Sequence, residues 1–201
     1  IGDSPLGPFT YQANNPFSVK TGGFINGAGH GSTIEDIHGN LWHAATMRIS
    51  INASFERRIG LFPAGLDKDG NLFCNQSFAD YPLDIPEGKF DPLSIKPKWM
   101  LLSYKKQAIA SSSRDGHGPE QALNESIRSS WCAQGSSGEW YQLDLGREYP
   151  VYAVQINFAE VDVPMLNVDK SLRSNIYTNN RYIDPNPDLR TRYLLEGSVN
   201  G

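Results

Sequence analysis

One glycine-rich stretch limits what this chain can fold into: residues 22–48, GGFINGAGHGSTIEDIHGNLWHAATMR. Gly22, Gly23, Gly27, Gly29 and Gly31 lend the backbone freedom at little steric cost, which suits a loop that bends sharply and lets other groups approach closely. The run delivers a lone histidine, His30, to the start of a short alternating segment. A tight turn at His38, Gly39 and Asn40 then sends the chain back as a second strand. The expected product is a β-hairpin with a polar ring nitrogen placed at its entrance.

The remainder of the first 80 residues continues in the same manner. A strand is expected around Pro8, Phe9, Thr10 and Tyr11, then at 31–36, 41–49, 57–62 and 72–75, with Asp67, Lys68, Asp69 and Gly70 forming a hairpin turn between the last two. Residues 81–98 carry prolines at 82, 86, 92 and 97, which cannot donate ladder hydrogen bonds and favour extended chain, so a domain boundary is placed there. A second unit, 99–201, has its clearest strands at 139–145 and 151–158; the latter puts Tyr152, Val154, Ile156 and Phe158 on one face. A long polar stretch rich in Asn, Asp and Pro follows at 161–192, of a length that is usually functional or poorly ordered.

Bulk properties agree with an all-β reading. Aromatic residues make up 11% of the 201, with 19 glycines and 13 prolines and no heptad or long helical period, the profile of short strands joined by turns. That length accommodates one large domain or two small ones. A net charge of -4 and the lack of any basic run exclude a nucleic-acid surface. No apolar stretch approaches membrane-spanning length, and no leader pattern opens the sequence. Both ends read as cut: the chain opens in strand-like IGDSPLGPFTYQ and closes with a strand at 193–198 followed by the turn pair Asn200 and Gly201. Cys74 and Cys132, far apart in sequence, are expected as free, mostly buried thiols. Asn-x-Ser triplets at Asn52, Asn75 and Asn124 carry little weight, being common by chance.

Four motifs give the first 80 residues a resemblance to the closing part of the five-bladed propeller of glycoside hydrolase family 43, which includes β-xylosidases, α-L-arabinofuranosidases and arabinanases. They are GPFTY at 7–11, GAGHGS at 27–32, DIHGNLWH at 36–43 and RRIGLFPAGLDKDG at 57–70. The resemblance implies that His30 points into a central channel and helps hold a calcium or sodium ion, directly or through water. Calcium prefers oxygen ligands, so an imidazole is better cast as one contact among waters. Residue chemistry alone favours His30 as a hydrogen-bonded channel residue without a metal; the resemblance tips the reading toward the ion.

Residues 99–201 resemble a discoidin module, the coagulation-factor type C fold shared with carbohydrate-binding module family 32. The matching segments are IASSSRDGHGPEQALNES at 109–126, Trp131, GEWYQLDLG at 138–146, VYAVQINF at 151–158 and YLLEGSVNG at 193–201. Such modules often carry a structural calcium beside an Asp-Gly-containing loop. The corresponding position here is Asn124 and Glu125, where a neutral amide replaces the usual carboxylate and lowers the expected affinity.

An inverting glycosidase needs an acid and a base roughly 6.5–9.5 Å apart. The resemblance places those carboxylates, and a third that tunes the acid, in earlier blades, so no catalytic residue is expected in this chain. Glu35 and Asp36 are adjacent, point to opposite faces of a regular strand, and make a poor acid and base pair; Asp67 and Asp69 read as turn formers. Arg57 and Arg58 are candidates for clamping a sugar hydroxyl or an active-site carboxylate, and equally for a surface ion pair. Trp42 and Trp140 could stack on sugar rings, but a strand position favours the core for both, and Trp131 is read as a packing residue. His38 is read as a turn residue, His43 as a strand residue, and His117 as exposed in its loop.

The expected architecture is therefore all-β, the end of a β-propeller followed by a discoidin-like β-sandwich: blades at 1–80, a proline-rich linker at 81–98 and the sandwich at 99–201. The expected role is as part of a secreted, periplasmic or cell-surface protein that hydrolyses arabinosyl or xylosyl linkages of plant polysaccharide with inversion. The competing class is a non-catalytic carbohydrate-binding or adhesion protein.

Overall fold

The computed structural model describes residues 1–49, 57–158 and 191–199. They fall into two compact units: the first comprises Ile1–Ile49, Arg57–Tyr104 and Glu125–Ile127, the second Lys105–Asn124 and the described residues from Arg128 on. Among the described residues regular structure is strand, apart from one turn of 3-10 helix at Pro119–Ala122. The chain is all-β.

The first unit is one antiparallel sheet. Its strands are β1 (Asn26–Gly27), β2 (Ser32–Glu35), β3 (Leu41–Arg48), β4 (Arg57–Leu66) and β5 (Leu72–Cys74). β3 is central: β1 and β2 lie end to end along one edge, β4 along the other, and β5 pairs with β4. Strands β2 to β5 thus run up and down in sequence order.

The two hairpin turns share one construction. In the first, Asp36 N–H donates to the Asn40 carbonyl (2.9 Å), Gly39 N–H returns to the Asp36 carbonyl (3.0 Å), and Asp36 Oδ1 accepts from the N–H groups of His38 (2.8 Å) and Asn40 (2.9 Å). In the second, Asp67, Gly70 and Asn71 repeat these bonds, with Asp69 N–H as the extra donor. The glycines stand at φ +76° and +77°, where a side chain is strained. A backbone device closed by Asp, Gly and Asn explains why DIHGN and DKDGN fold alike although their middle residues differ.

Alternation along β3 separates two faces. His43, Ala45 and Met47 are buried on one, against Phe62 of β4, and Ile25, Ala28, Cys74 and Ala79 pack on the Ala45, Met47 and Phe62 cluster. Gly60 stands opposite Ala45 because the Phe62 ring and the Met47 side chain fill the space that a Cβ there would need. Burying Met47 and Phe62 stabilises the sheet by about 1.5–3 kcal/mol each. On the other face Trp42 is covered by Phe90, ring centroids 5.2 Å apart, whereas Ile34, Ile59 and Leu61 remain exposed. The proline-rich segment lies along this sheet: the Asn40 side-chain amide donates to the Gly88 carbonyl (3.0 Å), and the Asn75 amide to that of Pro92 (3.0 Å).

The second unit is built on an antiparallel pair, β6 (Gln107–Ala110) and β7 (Tyr141–Asp144). Ala108, Ala110, Tyr141 and Leu143 face inward and are half-buried; Gln107, Ile109, Gln142 and Asp144 face outward. Trp131 packs on Tyr141 at 5.2 Å, and its indole N–H donates to the Ser112 carbonyl (3.0 Å). Trp131 therefore has the packing role read from the sequence.

Several expected elements differ. β4 runs four residues beyond Phe62, through Pro63. The Pro63 carbonyl accepts from Asn75 N–H (2.8 Å), so the side of this residue that lacks an N–H faces the end of β5, where the missing donor costs little. The strand expected at Pro8 to Tyr11 forms no ladder; Thr10 N–H donates to the Ile1 carbonyl (2.7 Å) and Pro8 has no donor to give. Residues 151–158 and 193–198 likewise form no ladder among the described residues, and Tyr152, Val154, Ile156 and Phe158 are all exposed. Alternation marks a face, but a strand exists only where a partner supplies hydrogen bonds. The two segments do approach each other, with the Phe158 and Tyr193 rings 5.5 Å apart. Asn52 and nearly all of the 161–192 stretch lie outside the described residues.

Candidate functional site

The three residues that the sequence singled out, His30, Arg57 and Arg58, flank β3 on opposite sides, His30 along the edge held by β1 and β2 and the arginines in β4. Gly29 accepts a hydrogen bond from Thr46 N–H (2.9 Å) and Ser32 pairs with Ala44, which sets His30 beside the Ala44–Thr46 stretch of β3; in β4, Arg58 pairs with Met47 and Arg57 with Arg48. His30 is exposed, at φ +48°, and Ala28 stands at φ +151°, so the loop holds two non-glycine residues in backbone conformations that cost of order 1–3 kcal/mol each. Both arginines are exposed, and the Arg58 guanidinium donates to the Arg57 carbonyl (2.8 Å).

The chemistry of this donor set fits calcium only at a distance. A calcium ion takes six to eight oxygens, and no group of three His, Cys, Asp or Glu side chains gathers among the described residues. His30 offers one ring nitrogen, suited to a water of a hydrated ion. Asn124, the other candidate, is engaged with protein: its amide donates to the Ser129 hydroxyl (2.7 Å), and its carbonyl oxygen accepts from that hydroxyl (3.0 Å). Glu125 is half-buried at φ +57°, and burial raises its carboxyl pKa.

The histidine that the fold encloses is His43, which the sequence marked only as a strand residue. It is 4% exposed, with Nδ1 3.0 Å from the Thr33 hydroxyl and the Phe17 ring edge-on at 5.0 Å. Burial lowers its pKa, so the ring is neutral near pH 7. Gly31 is required here, since a Cβ would lie 2.6 Å from His43 Nε2 and 2.7 Å from the Ala44 carbonyl oxygen. Asp36 was weighed as a poor catalytic partner and turns out to be a structural anchor. Burial opposes its ionisation, but hydrogen bonds from Trp42 Nε1, the Asn40 amide, Asn40 N–H and His38 N–H outweigh it and hold the carboxyl well below the usual range. Both cysteines are free and half-buried, and burial pushes the Cys74 thiol up to about 12, so it is unreactive at neutral pH. Asn75 and Asn124, the described glycosylation triplets, have their amides hydrogen-bonded within the fold.

The second unit presents a different surface. Trp140, expected in the core, lies just before β7 and is 50% exposed. Its backbone is pinned: Ser111 N–H donates to its carbonyl (3.0 Å) and its N–H donates to Ser111 Oγ (3.0 Å). Beside it Glu139 accepts from the hydroxyls of Ser111 and Ser112 and from Gly135 N–H (2.8 Å), contacts that lower its pKa. The indole continues the outward row of Ile109, Gln142, Gln107 and Asp144, so an aromatic plate adjoins amides and a carboxylate. This arrangement can stack on a sugar ring and bond its hydroxyls. His117, expected to be exposed, is half-buried, with Nδ1 3.0 Å from the Ser130 carbonyl oxygen.

The order of motifs in this all-β unit is similar to that of a discoidin-type module. Residues 107–171, roughly a third of the chain, match the family model of the F5/8 type C domain. No curated protein and no solved structure matches the chain. No helix among the described residues is long and apolar enough to cross a membrane.

Proposed function

We propose that the protein is a carbohydrate-active one whose second unit binds a plant-type polysaccharide, with Trp140 as the stacking surface. The observation that carries this reading is a half-exposed indole just before β7, within the residues that match the F5/8 type C domain, a class that includes carbohydrate-binding modules. Retention of the protein on insoluble arabinoxylan, compared with Trp140→Ala, tests it; equal retention of the two would remove Trp140 from the site.

The finer reading is that the first unit is part of a family 43 glycoside hydrolase. It is supported by the GAGHGS and DIHGNLWH motifs and by the up-and-down order of β2 to β5, the topology of a propeller blade. In this reading hydrolysis proceeds with inversion on carboxylates outside this chain, Arg57 and Arg58 bond substrate or an active-site carboxylate, and His30 contacts a calcium ion through water. Hydrolysis of aryl α-L-arabinofuranoside and β-D-xyloside is expected from a chain extended upstream and not from these 201 residues alone. Activity in neither would favour a binding or adhesion protein. Elemental analysis is expected to find calcium that His30→Ala weakens.

A further inference from the structure

Gln76 is 4% exposed, and among the described residues neither its amide nitrogen nor its amide oxygen has a hydrogen-bond partner. Leaving an amide buried and unpaired is costly, and such groups are rare in folded proteins. Its position is fixed by its neighbours. Cys74 and Ala79 pack on the Ala45, Met47 and Phe62 cluster, while Asn75 turns its amide the other way, to the Pro92 carbonyl. Asn75 N–H extends the pairing of β5 by one residue, so alternation carries the Gln76 side chain to the Cys74 side, over the core. The 17–28 segment also lies over this core face, through Phe17 on His43 and Ile25 and Ala28 on the cluster. That segment holds the other described buried atom without a partner, the Ser18 hydroxyl.

We infer that the core face of the first sheet encloses an internal water site centred on the Gln76 amide. The guest must be small, because the amide is closed off from the surface. It must also both accept from Nε2 and donate to Oε1. A cation satisfies only the oxygen and an anion only the nitrogen; water does both and is the ordinary guest of enclosed polar groups. The inference does not depend on the carbohydrate reading.

The test is a crystal structure of the full chain at a resolution that shows ordered water. Water density about 2.7–3.2 Å from Gln76 Nε2 or Oε1 is expected; an amide bonded directly to protein groups, or turned out to solvent, overturns the inference. In solution, NMR cross-peaks between the Gln76 side-chain amide protons and long-lived water are expected, and their absence from an assigned amide counts against it. Gln76→Met removes the polar pair at similar volume. Its unfolding midpoint is expected to equal or exceed that of the parent, whereas a fall of more than about 8 °C would show direct protein hydrogen bonds and overturn the inference.

Discussion

Asp36 and His43 show how one side chain can hold a local structure for opposite electrostatic reasons. The Asp36 carboxylate gathers four donors and is needed charged; His43 sits in a closed apolar setting and is needed neutral. Asp36→Ala should therefore lower the unfolding midpoint more than Asp69→Ala, a difference that thermal denaturation at pH 7 measures. Both groups bind protons more weakly folded than unfolded, so each makes stability fall with falling pH, in different windows. For His43 the loss begins as pH drops below about 6.5, its unfolded value; for Asp36 it begins only below about 4. A midpoint measured from pH 8 to pH 5 should decline, and His43→Gln should flatten that decline; an unchanged slope would show that His43 does not titrate on unfolding. His30 was the histidine that the sequence drew out, because a glycine run marks a loop, whereas enclosure of His43 depends on Phe17 and Thr33 from other segments.

At the scale of elements, what was legible was what is local. Strands β2, β3 and β5 and both hairpin turns follow from alternation and turn chemistry, and their ends shift by only one residue. Two signals were misread. The strand expected at 57–62 stops short of Pro63, whereas β4 passes through it, because which side of the strand the missing N–H faces depends on β5. The repeat of Asp-x-x-Gly-Asn-Leu-aromatic at 36–42 and 67–73 was present in the letters and would have assigned Asp36 to a turn. Trp42 and Trp140 carried the same reading, yet Phe90 from the proline-rich segment covers one and leaves the other at the surface. Close approach of strands gives a further expectation. Gly31→Ala should force β2 away from His43 and the Ala44 carbonyl, destabilising the first unit by about 1–3 kcal/mol in denaturant unfolding.

At the scale of the molecule, two units are distinct in construction: a five-stranded sheet, and a two-stranded ladder with the half-exposed Trp140 just before its second strand. The resemblance that the family match at 107–171 supports was legible because its motifs occur in order; the strands expected at 151–158 and 193–198 form no ladder among the described residues, because alternation marks a face and does not supply a partner. If Trp140 stacks on sugar, Trp140→Ala should weaken polysaccharide binding about tenfold, roughly 1.4 kcal/mol, while circular dichroism stays unchanged. Affinity electrophoresis in soluble arabinoxylan separates that outcome from unfolding, which would alter both.

The paired turns also have a practical meaning. Since Asp36, Gly39 and Asn40 close the first one through backbone and carboxylate bonds, the side chains of Ile37 and His38 at its tip bear no part of the closure, and Ile37 is 95% exposed. Those two positions form a socket. A fluorophore, spin label or short epitope mounted there would ride on the sheet as a reporter, with the hairpin beneath it undisturbed.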